Sequence, residues 1–414
     1  MNGFYEIYKL TAEGIRDQLI GKYSVLDGEL NWSKDSRFTI TGTCIGTAPV
    51  MLSDRIAIVR NGAQLFSGIV TGMNTECEDT AHEISTWEAE VSGDEVVLSW
   101  RYVFATGNYT TPANIEVGEK VYDKLPNDNN EHNTQSALNR MLYYIRKHIG
   151  GNAATVRRMV TVAENDNNSR GEQGRSAYHI KGLSKVLSEI GKSSELFCKV
   201  STDVNGARIL TIPDPRDRTS AMIVSPEFGN VSGWSKEEGY PKFNAVWVLS
   251  GVHEIKNEDD TVTQQRVWVY AEDTESIARY GRIENVVTKS DIKIVDADPD
   301  DPEVIPVTSA EVTVMLTEEA QKQLQEADAT LKWTVTMAEN NACAFMDDWQ
   351  LGDKVRCVID GQSFDSIIET VQIHYENGIE TVTPTVGEVE TGLYGKLFET
   401  LSGIDERLKT EEEN

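Results

Sequence analysis

One short pattern occurs twice in this chain, near its beginning and near its end. The first copy is SDRIAIVRNGAQLFSGIVTG at residues 53–72, and the second is GDKVRCVIDGQSFDSIIETV at residues 352–371. Asn-Gly and Asp-Gly tolerate the two positive φ angles of a type I′ turn, and β-branched or aromatic residues flank both pairs. Each copy therefore predicts a β-hairpin. Because an isolated hairpin is marginally stable in water, each must belong to a larger sheet or barrel.

The two copies also share the residues that lead into the hairpin. Asp-Arg-Ile at residues 54–56 aligns with Asp-Lys-Val at 353–355, and Asn-Gly at 61–62 aligns with Asp-Gly at 360–361. Asx-Gly hairpins recur by chance in β-rich chains, but this matched acid-base-apolar entry favours an internal duplication. The sequence therefore predicts two related β-units, one in each half of the chain.

The length and composition describe a folded protein of several domains. A chain of 414 residues is too long for one hydrophobic core, so roughly two to four domains are expected. There is no apolar run of about 18 residues and no basic start followed by an apolar segment, so neither a transmembrane helix nor a signal peptide is predicted. The five cysteines are scattered without a CxxC pair. This indicates reduced thiols and neither a disulfide framework nor a zinc site.

The strongest bulk property is negative charge. The 67 acidic and 39 basic residues give a formal net charge of −28. Nucleic-acid binding needs Lys and Arg to neutralise phosphates, so such a surface repels DNA within a Debye length, roughly 8 Å at physiological salt. A DNA-binding function is therefore not expected. A high net charge also keeps many proteins soluble, so by itself it does not specify a function.

Hydrophobic patterns divide the chain into β-rich and mixed regions. Residues 1–105 predict mostly strands, and residues 106–239 predict an inserted α/β region. Strands return at about 240–295 and are expected to complete the first β-domain. The acidic, proline-containing segment DADPDDPEVIP at 296–306 predicts an exposed linker between domains.

The inserted region contains two predicted helices and a further hairpin. Apolar residues recur on one helical face at about 133–149 and again at about 176–190, with Asn133 or Thr134 as the expected cap of the first helix. Asn-Gly at 205–206 lies between two short apolar runs. It predicts a third hairpin.

Residues 307–388 predict a second β-domain, and residues 389–414 predict a helix. The β-domain is expected to begin with a strand at 310–316, followed by a helix at about 317–331 with Thr317 as its cap. The C-terminal segment carries Leu and Ile at spacings of three and four residues, which is typical of an amphipathic helix. This helix could form a coiled coil or pack on its own domain, and both alternatives stay open.

No pattern in the sequence predicts catalysis, a cofactor or a metal. The six histidines lack metal-ligand spacing, and no nucleophile elbow, phosphate loop or dinucleotide fingerprint occurs. The Asp-rich stretches do not match a calcium-binding EF-hand loop. His148 is expected to end a helix, and His253 has no partner nearby in the sequence. We therefore predict no catalytic, cofactor-binding or metal-binding residues and a protein that is not an enzyme.

Several segments resemble the Gp37-like family of siphophage tail-hub proteins. PDPRDRTSAMIVSPEFGNVSGWSKEEG at 213–239, NAVWVLSG at 244–251 and TESIARYGRIENVV at 274–287 occur in the order found in that family. The helical stretch at 138–162 is similar to the family's middle region. Residues 307–388 look like the closing β-domain of hub proteins in general.

This resemblance implies a mainly β, baseplate-hub-like fold with two small β-barrels and outer α/β clasp domains. It implies a homotrimeric structural protein of the virion tail tip, synthesised and assembled in the cytoplasm of the bacterial host. The implied partners are the tail tube and distal tail proteins, with the tape measure protein and a downstream tip fibre as further candidates. Specific nucleic-acid binding and stable membrane insertion are not implied.

The resemblance also gives the duplication and the charge a meaning. Three chains with two barrels each would present six similar units to a hexameric tail tube, so the protein would act as a symmetry adaptor. A channel lined by acidic residues would let DNA pass without binding it. The acidic charge is therefore expected to face the channel.

Two other functions stay open at this point. A tail-associated peptidoglycan hydrolase would need a further enzymatic domain, and only about 25 residues follow the last predicted β-domain. A module that binds host-surface carbohydrate could use the eight tryptophans and fourteen tyrosines as stacking platforms. Trp247, Trp268 and Trp333 lie in predicted strands and are expected in the core, whereas Trp234 is expected to be exposed.

Overall fold

The computed structural model divides the chain into two compact units. Unit 1 comprises Met1–Trp234 and Thr334–Asn414, and unit 2 comprises Ser235–Trp333. The structure describes residues 3–21, 23–79, 84–103, 123–124, 135–163, 169–174, 176–178, 180–192, 194–256, 261–290, 292–296, 306–327, 330–338 and 344–387. The C-terminal helix predicted at 389–414 lies outside these residues.

The first part of unit 1 is built from strands, as the sequence predicts for residues 1–105. A short 3-10 turn, Asp94–Leu98, follows the seventh strand. The strands are β1 (Tyr5–Leu10), β2 (Arg16–Leu19), β3 (Val25–Asn31), β4 (Arg37–Ile45), β5 (Arg55–Arg60), β6 (Ala63–Asp79), β7 (Ile84–Gly93) and β8 (Tyr102–Val103).

The inserted region that follows is mixed α/β. Its two helices are α1 (Ala137–His148) and α2 (Leu183–Lys192). Its strands are β9 (Asp123–Lys124), β10 (Gln135–Ser136), β11 (Thr161–Val162), β12 (Gln173–Gly174), β13 (Ala177–Tyr178), β14 (Lys181–Gly182), β15 (Lys199–Thr202), β16 (Arg208–Thr211), β17 (Arg216–Asp217), β18 (Ile223–Val224) and β19 (Val231–Gly239).

Both predicted helices of the inserted region exist, but they begin later than expected. The cap of α1 is Ser136, whose hydroxyl accepts a hydrogen bond from the amide of Asn139, and not Asn133 or Thr134. The residues before α2 pair as β13 and β14. The predicted hairpin at 205–206 forms between β15 and β16. The two helices and these strands share one core, which includes Leu138, Ile145, Val186 and Leu210.

Unit 2 is a small α/β unit. The chain leaves unit 1 within β19 and returns to it within β25. Its elements are β20 (Ala245–Ser250), β21 (His253–Lys256), β22 (Val262–Gln265), β23 (Trp268–Glu272), α3 (Thr274–Tyr280), β24 (Glu284–Lys289), α4 (Ser309–Ala327) and β25 (Thr330–Met337). In its central sheet β20 lies between β23, which is antiparallel to it, and β24, which is parallel.

Helix α4 corrects a sequence prediction. Residues 310–316 were expected to be a strand because of their Val and Thr content, but they belong to the helix, which ends four residues earlier than expected. Thr308 and Glu311 form a reciprocal capping box: Thr308 donates its amide and hydroxyl hydrogens to the Glu311 carboxylate at 2.7 and 2.8 Å, and the Glu311 amide donates to the Thr308 hydroxyl at 3.3 Å. Val312 and Leu316 lie four residues apart in the core. Helical spacing and a cap outweigh β-propensity here.

The predicted linker at 296–306 does not separate the two compact units. It lies inside unit 2, where Val295 and Val307 pair through two backbone hydrogen bonds of 3.1 and 2.8 Å. The assignments of residues 106–239 as a clasp and 307–388 as a second hub domain stay predictions.

The last part of unit 1 returns to β-structure with β26 (Asp353–Ile359), β27 (Gln362–Glu376) and β28 (Ile379–Val386). Within the described residues β1–β7, β17–β19 and β25–β28 form one 14-stranded sheet. Its path runs β19-β25-β28-β27-β3-β4-β7-β6-β5-β1-β2, and β26 pairs with β27, β17 and β18.

The described chain is thus mainly β, but two separate closed barrels are not seen in it. Strand β3 from the first predicted domain pairs directly with β27 from the second, from Val25 with Glu376 to Asn31 with Thr370. The two domains therefore merge into one open sheet. Among the described helices, none is long and apolar enough to cross a membrane.

Candidate functional surface

The duplicated hairpins predicted from the sequence are both present. Asn61 and Gly62 have φ angles of 51° and 83°, and Asp360 and Gly361 have φ angles of 51° and 73°. In each copy the turn joins directly paired residues, Arg60 with Ala63 in one and Ile359 with Gln362 in the other. Both turns have the positive φ pair of type I′ geometry, as expected from Asn-Gly and Asp-Gly.

The structural repeat also includes the backbone just before each first strand. Ser53 has a φ of 70°, and Gly352, which aligns with it, has a φ of 83°. The Ser53 amide donates a hydrogen bond of 2.9 Å to the carbonyl of Val70, and the Gly352 amide donates one of 3.0 Å to the carbonyl of Ile368. A non-glycine residue with positive φ is uncommon. The same geometry at two aligned positions therefore supports a duplication.

The aligned aspartates close equivalent turns. One carboxylate oxygen of Asp54 accepts a hydrogen bond of 2.8 Å from the amide of Met51. The corresponding oxygen of Asp353 accepts one of 3.0 Å from the amide of Gln350. Each aspartate thus fixes the backbone three residues before it. This role explains why both copies carry Asp at this position.

Each of these aspartates also pairs with a cation from a neighbouring strand. Lys9 on β1 lies 2.7 Å from Asp54. Arg216 on β17 donates two hydrogen bonds, of 2.8 and 2.6 Å, to Asp353. The neighbouring strand is antiparallel in the first copy and parallel in the second. The repeat therefore covers the hairpin and its entry turn, whereas the strands beside it differ.

The strand pairing of the two copies differs by one residue, because Arg55 pairs with Ile69 in the first and the aligned Lys354 pairs with Ile367 in the second. A β-bulge in the first copy accounts for this difference. In the first hairpin Ile58 pairs with Phe66 and Val59 pairs with Gln64, which leaves Leu65 as an extra residue. The pairing of β26 with β27 is regular. A bulge of this kind adds one unpaired residue and bends the strand locally, so the two hairpins share their turn, whereas the pairing of the first is offset by one residue beyond the bulge.

Both hairpins lead into long second strands, β6 and β27, whose later halves enter a common six-strand segment. This segment runs β28-β27-β3-β4-β7-β6, and every neighbouring pair in it is antiparallel. One side of it is buried against the core of unit 1 and includes Leu26, Ile40, Trp87, Val91 and Ile373. The other side is polar.

Cross-strand pairs align the polar residues in rows. One row joins Glu90, Thr39, Asp27, His374 and Thr381, which are successive partners across β7, β4, β3, β27 and β28. A second row joins Asn74, Glu88, Thr41, Val25, Glu376 and Ile379 in the same way. The polar side is therefore one continuous surface that spans both halves of the sequence.

Carboxylates dominate this surface, which we call the acidic face. The basic side chains of its strands are Arg37, which lies 3.5 Å from Glu29, and His374. Threonines fill much of the remaining surface. The carboxylates of the acidic face are Asp27, Glu29, Glu76, Glu88, Glu90 and Glu376. Such a concentration of one charge repels polyanions at short range.

The acidic face contains a shallow trough of about 330 Å³, lined mainly by β3, β4, β27 and β28. His374 lies in it, with Nδ1 2.6 Å from Asp27 and Nε2 3.7 Å from Glu376. The hydrogen bond to Asp27 and the nearby carboxylates raise the pKa of His374. His374 is therefore paired with carboxylates of the acidic face.

The two outer strands of the six-strand segment each have an unpaired edge. From Thr71 to Asp79, β6 pairs with β7 and, among the described residues, with no strand on its other side. From Ile379 to Pro384, β28 likewise pairs only with β27 in the described chain. Pro384 suits an edge because proline cannot donate to a strand ladder. Free edges are templates for pairing with another chain.

A second cleft, of about 590 Å³, lies beside a buried carboxylate of unit 1. Glu95 accepts a hydrogen bond of 3.4 Å from the amide of Val200, and its carboxylate lies 3.9 Å from Lys199. Burial raises the pKa of Glu95 to about 6. The Lys199 ammonium also donates to the carbonyls of Asn31 and, at 3.1 Å, Lys34, so it fastens the β3–β4 turn to the inserted region.

Among the described residues, those discussed for chemistry do not come together. His148 ends α1, as expected, and it is buried, with its ring stacked 6.3 Å from that of Tyr144. His253 lies 2.8 Å from Asp296, a partner the sequence did not suggest. None of the four described cysteines forms a disulfide. Among the described residues, no group of three or more His, Cys, Asp or Glu could hold a metal ion.

The tryptophans follow the sequence predictions only in part. Trp333 is buried and Trp234 is exposed, as expected. Trp247 is partly buried, but Trp268, which was expected in the core, is 59% exposed. It lies on a sheet face of unit 2 that no helix covers within the described residues. Membership of a strand therefore did not determine burial.

Two solved structures show the same fold as this chain. One is the 43 kDa tail protein of prophage MuSo2 from Shewanella oneidensis, with a TM-score of 0.51 and 10% identity over 92% of this chain and 97% of that chain. The other is a tail protein from Neisseria meningitidis MC58, with a TM-score of 0.50 and 10% identity over 93% and 96%. No curated protein matches the chain significantly.

The sequence itself matches one family over most of its length. A sequence model of the siphovirus ReqiPepy6 Gp37-like proteins matches residues 18–388. The match includes both hairpins and all six strands of the acidic face. It confirms the resemblance inferred from the quoted segments. The chain therefore belongs to the siphovirus ReqiPepy6 Gp37-like protein family.

Proposed function

We propose that this chain is a structural baseplate hub protein at the tip of a phage tail or phage-tail-like particle. As a homotrimer it closes or extends the hexameric tail tube, contacts tube and distal tail proteins, and lines a channel through which DNA passes. The acidic face is the observation that carries this proposal. It runs without a break across both halves of the chain, and its charge repels DNA.

The free edges of the acidic face supply a way to close a ring. The strands of the segment alternate in direction, and there are six of them, so β6 of one copy would lie antiparallel to β28 of the next. This contact joins different surfaces of the two partners, and its repetition around a threefold axis gives a closed ring. Three chains of six strands give a ring of 3 × 6 = 18 strands. The acidic face of each copy then faces the centre.

The charge of such a bore fits the passage of DNA. Duplex DNA carries one negative charge per about 1.7 Å of its axis, and it is retained by surfaces that offer Lys or Arg. The acidic face offers Arg37 and His374, both beside carboxylates. A bore of this kind keeps the phosphates at a distance. DNA can pass through such a bore because the bore does not bind the DNA.

The duplicated hairpins support the role of symmetry adaptor. Each chain carries the same turn, the same entry backbone and the same capping aspartate twice, at Asp54 and at Asp353. A trimer would therefore carry 3 × 2 = 6 of these units.

The same proposal accounts for the remaining properties without catalysis. The protein acts by assembly, needs no cofactor, and works at the tail tip of the virion after synthesis in the host cytoplasm. The tape measure protein and a downstream tip fibre are further partners in this scheme. Neither requires a reactive residue in the chain.

A cysteine scan across the edges tests the ring. Asn74→Cys on β6 is combined in turn with Ile379→Cys, Thr381→Cys or Thr383→Cys on β28, all on the acidic face, with Cys44, Cys77 and Cys343 replaced by serine. Opposed residues of paired strands bring Cβ atoms to about 4.5–5.5 Å, close to the distance that a disulfide needs. We expect one of the three pairs to oxidise into covalent dimers and trimers, with no larger species.

The control uses Val204→Cys, which is 85% exposed between β15 and β16 and belongs to neither edge strand, in place of the β28 cysteine. It is expected to give no specific ladder. Cross-linked species larger than trimers would indicate an open filament and not a closed ring. A chain that stays monomeric at high concentration, with no cross-link in any of the three pairs, would contradict the edge contact.

A further inference from the structure

The central sheet of unit 2 has two unlike faces. One is covered by α4, where Val312, Leu316 and Ala320 pack against Val246 and Val248 of β20. Because side chains alternate along a strand, the neighbouring residues of β20, β23 and β24 point to the opposite side. Within the described residues no helix packs on that side.

This opposite side carries a cluster of aromatic rings. The ring of Trp247 lies 5.1 Å from that of Trp268 and 4.7 Å from that of Tyr270, in tilted arrangements of 50° and 46°. Trp247 is paired across the sheet with Tyr270 and with Val286. Trp268 and Val286 are 59% and 61% exposed. We call these four residues the aromatic face.

An ordered polar rim borders the aromatic face. Arg282 donates hydrogen bonds of 2.6 Å to Glu272, 3.3 Å to Glu284 and 2.6 Å to the hydroxyl of Tyr270. Its guanidinium also lies 5.8 Å from the centre of the Tyr270 ring. The Tyr270 hydroxyl donates to Glu272. Planar donors and acceptors are therefore held in fixed positions at the edge of the rings.

The size of the face argues against a protein partner. One aromatic side chain buries about 150–250 Å² at most, and here one ring is largely exposed while two are partly covered, so the free aromatic area is on the order of 300 Å². A specific protein interface needs about 800 Å² on each side. The aromatic face is instead the size of one or two sugar rings.

The charge of the rim argues against polyanions. Glu272 and Glu284 flank the single Arg282, and the whole chain carries a formal charge of −28. Nucleic acids and phosphate-rich polymers need a surplus of Lys or Arg. A ligand without negative charge meets no such barrier.

We propose that the aromatic face of unit 2 binds a neutral oligosaccharide. The apolar C–H faces of sugar rings stack on exposed indole rings, here first on Trp268. The paired hydroxyls at the sugar edge match the fixed donors of Arg282 and the acceptors of Glu272 and Glu284. This assignment does not depend on the ring proposed for unit 1.

The test uses the full chain on an array of neutral and sulfated oligosaccharides, followed by calorimetric titration with the strongest neutral binder. We expect neutral sugars to bind and sulfated ones not to. Trp268→Ala is expected to weaken binding by at least about tenfold, a loss of about 1.4 kcal/mol. Arg282→Gln, at an exposed position outside the core, is expected to weaken it as well.

The matched control is Trp100→Ala, because Trp100 is a similarly exposed tryptophan, at 44%, in unit 1. This variant is expected to bind like the unchanged protein. Absence of neutral binders on the array would overturn the proposal, as would equal affinities for the Trp268 and Trp100 variants. A change of oligomeric state with Trp268→Ala would also overturn it, because the face would then be a protein interface.

Discussion

Arg60, the last residue of β5, and Glu380, near the start of β28, form a buried ion pair between the two ends of the chain. The guanidinium donates hydrogen bonds of 2.7 and 2.8 Å to the two carboxylate oxygens, and both side chains are at least 95% buried. Arg60 also donates to the carbonyl of Phe345 at 2.9 Å, and Glu380 accepts from Tyr5 and Gly3. The pair joins the first hairpin to the second β-unit.

Removing one partner of this pair is expected to be strongly destabilising. Glu380→Gln removes the carboxylate that accepts two hydrogen bonds from Arg60, and the loss of one partner of a buried ion pair costs about 3–5 kcal/mol at pH 7. Urea unfolding measures the loss. Asp365→Asn is the control, since the Arg356–Asp365 pair is exposed and should contribute less than about 1 kcal/mol. Equal losses in the two variants would contradict the role assigned to the buried pair.

The same pair predicts a pH dependence. Burial alone would raise the pKa of Glu380, but hydrogen bonds from Arg60 and Tyr5 and the charge of Arg60 outweigh it and lower the pKa. Its stabilisation is therefore present above the ordinary pKa near 4.5 and is lost as the pH falls below it. The Glu380→Gln variant should lose less stability than the unchanged protein between pH 5 and pH 3, by parallel urea titrations. Profiles of equal slope would contradict this.

The hairpin glycines allow a matched pair of substitutions. Gly62 and Gly361 both have positive φ, and an added Cβ at either would meet no atom within 4 Å. Alanine at each position therefore changes only the backbone energy, and each substitution should destabilise by about 1–2 kcal/mol. Gly21, which has equal space but no positive φ, is the control and should show no loss. Unequal losses at 62 and 361 would argue against equivalent turns.

The raised pKa of Glu95 predicts a pH dependence of stability with the opposite sign. Because burial raises its pKa to about 6 in the folded chain, the folded state binds more protons than the unfolded state between about pH 4.5 and 6. Stability should fall by about 2 kcal/mol as the pH rises through this window. Glu95→Gln should remove that fall, as measured by urea unfolding at several pH values. A fall that persists in the variant would assign it to another group.

Charge reversal on the acidic face tests its relation to DNA. The triple variant Glu76→Lys, Glu88→Lys, Glu90→Lys should bind duplex DNA at least about tenfold more tightly than the unchanged chain, with an affinity that falls steeply as salt is raised. Fluorescence anisotropy with labelled DNA measures both. The control reverses Asp17, Glu227 and Glu254, which are exposed elsewhere. If both triple variants bind DNA equally, total charge and not the acidic face controls repulsion.

The sequence predictions that the structure confirms, such as the two hairpins, were based on local sequence signals. Asn-Gly and Asp-Gly specify type I′ turns within four residues, so both hairpins could be located without any tertiary information. The entry turns were less visible, because Ser53 and Gly352 adopt the same positive φ with different side chains. The shared Asp indicated the repeat, but the sequence did not reveal its hydrogen bond to the backbone three residues earlier.

The sequence predictions were wrong where tertiary contacts determine the structure. Residues 310–316 carry Val and Thr in an order that suits a strand, and their helical state depends on the capping box of Thr308 and Glu311 and on packing in unit 2. Trp268 lies in a strand as expected, yet its exposure depends on which sheet face α4 covers. The acidic face depends on the pairing of β3 with β27. Strands so distant in sequence leave no local trace of their pairing.

The account depends most on the ring formed by the acidic face, and electron cryomicroscopy of the assembled protein tests it most directly. The account predicts three copies around one axis, β6 of each copy paired antiparallel with β28 of the next, and Glu88 and Glu90 facing the bore. An assembly of any other symmetry, or one in which these carboxylates face outward, would contradict it.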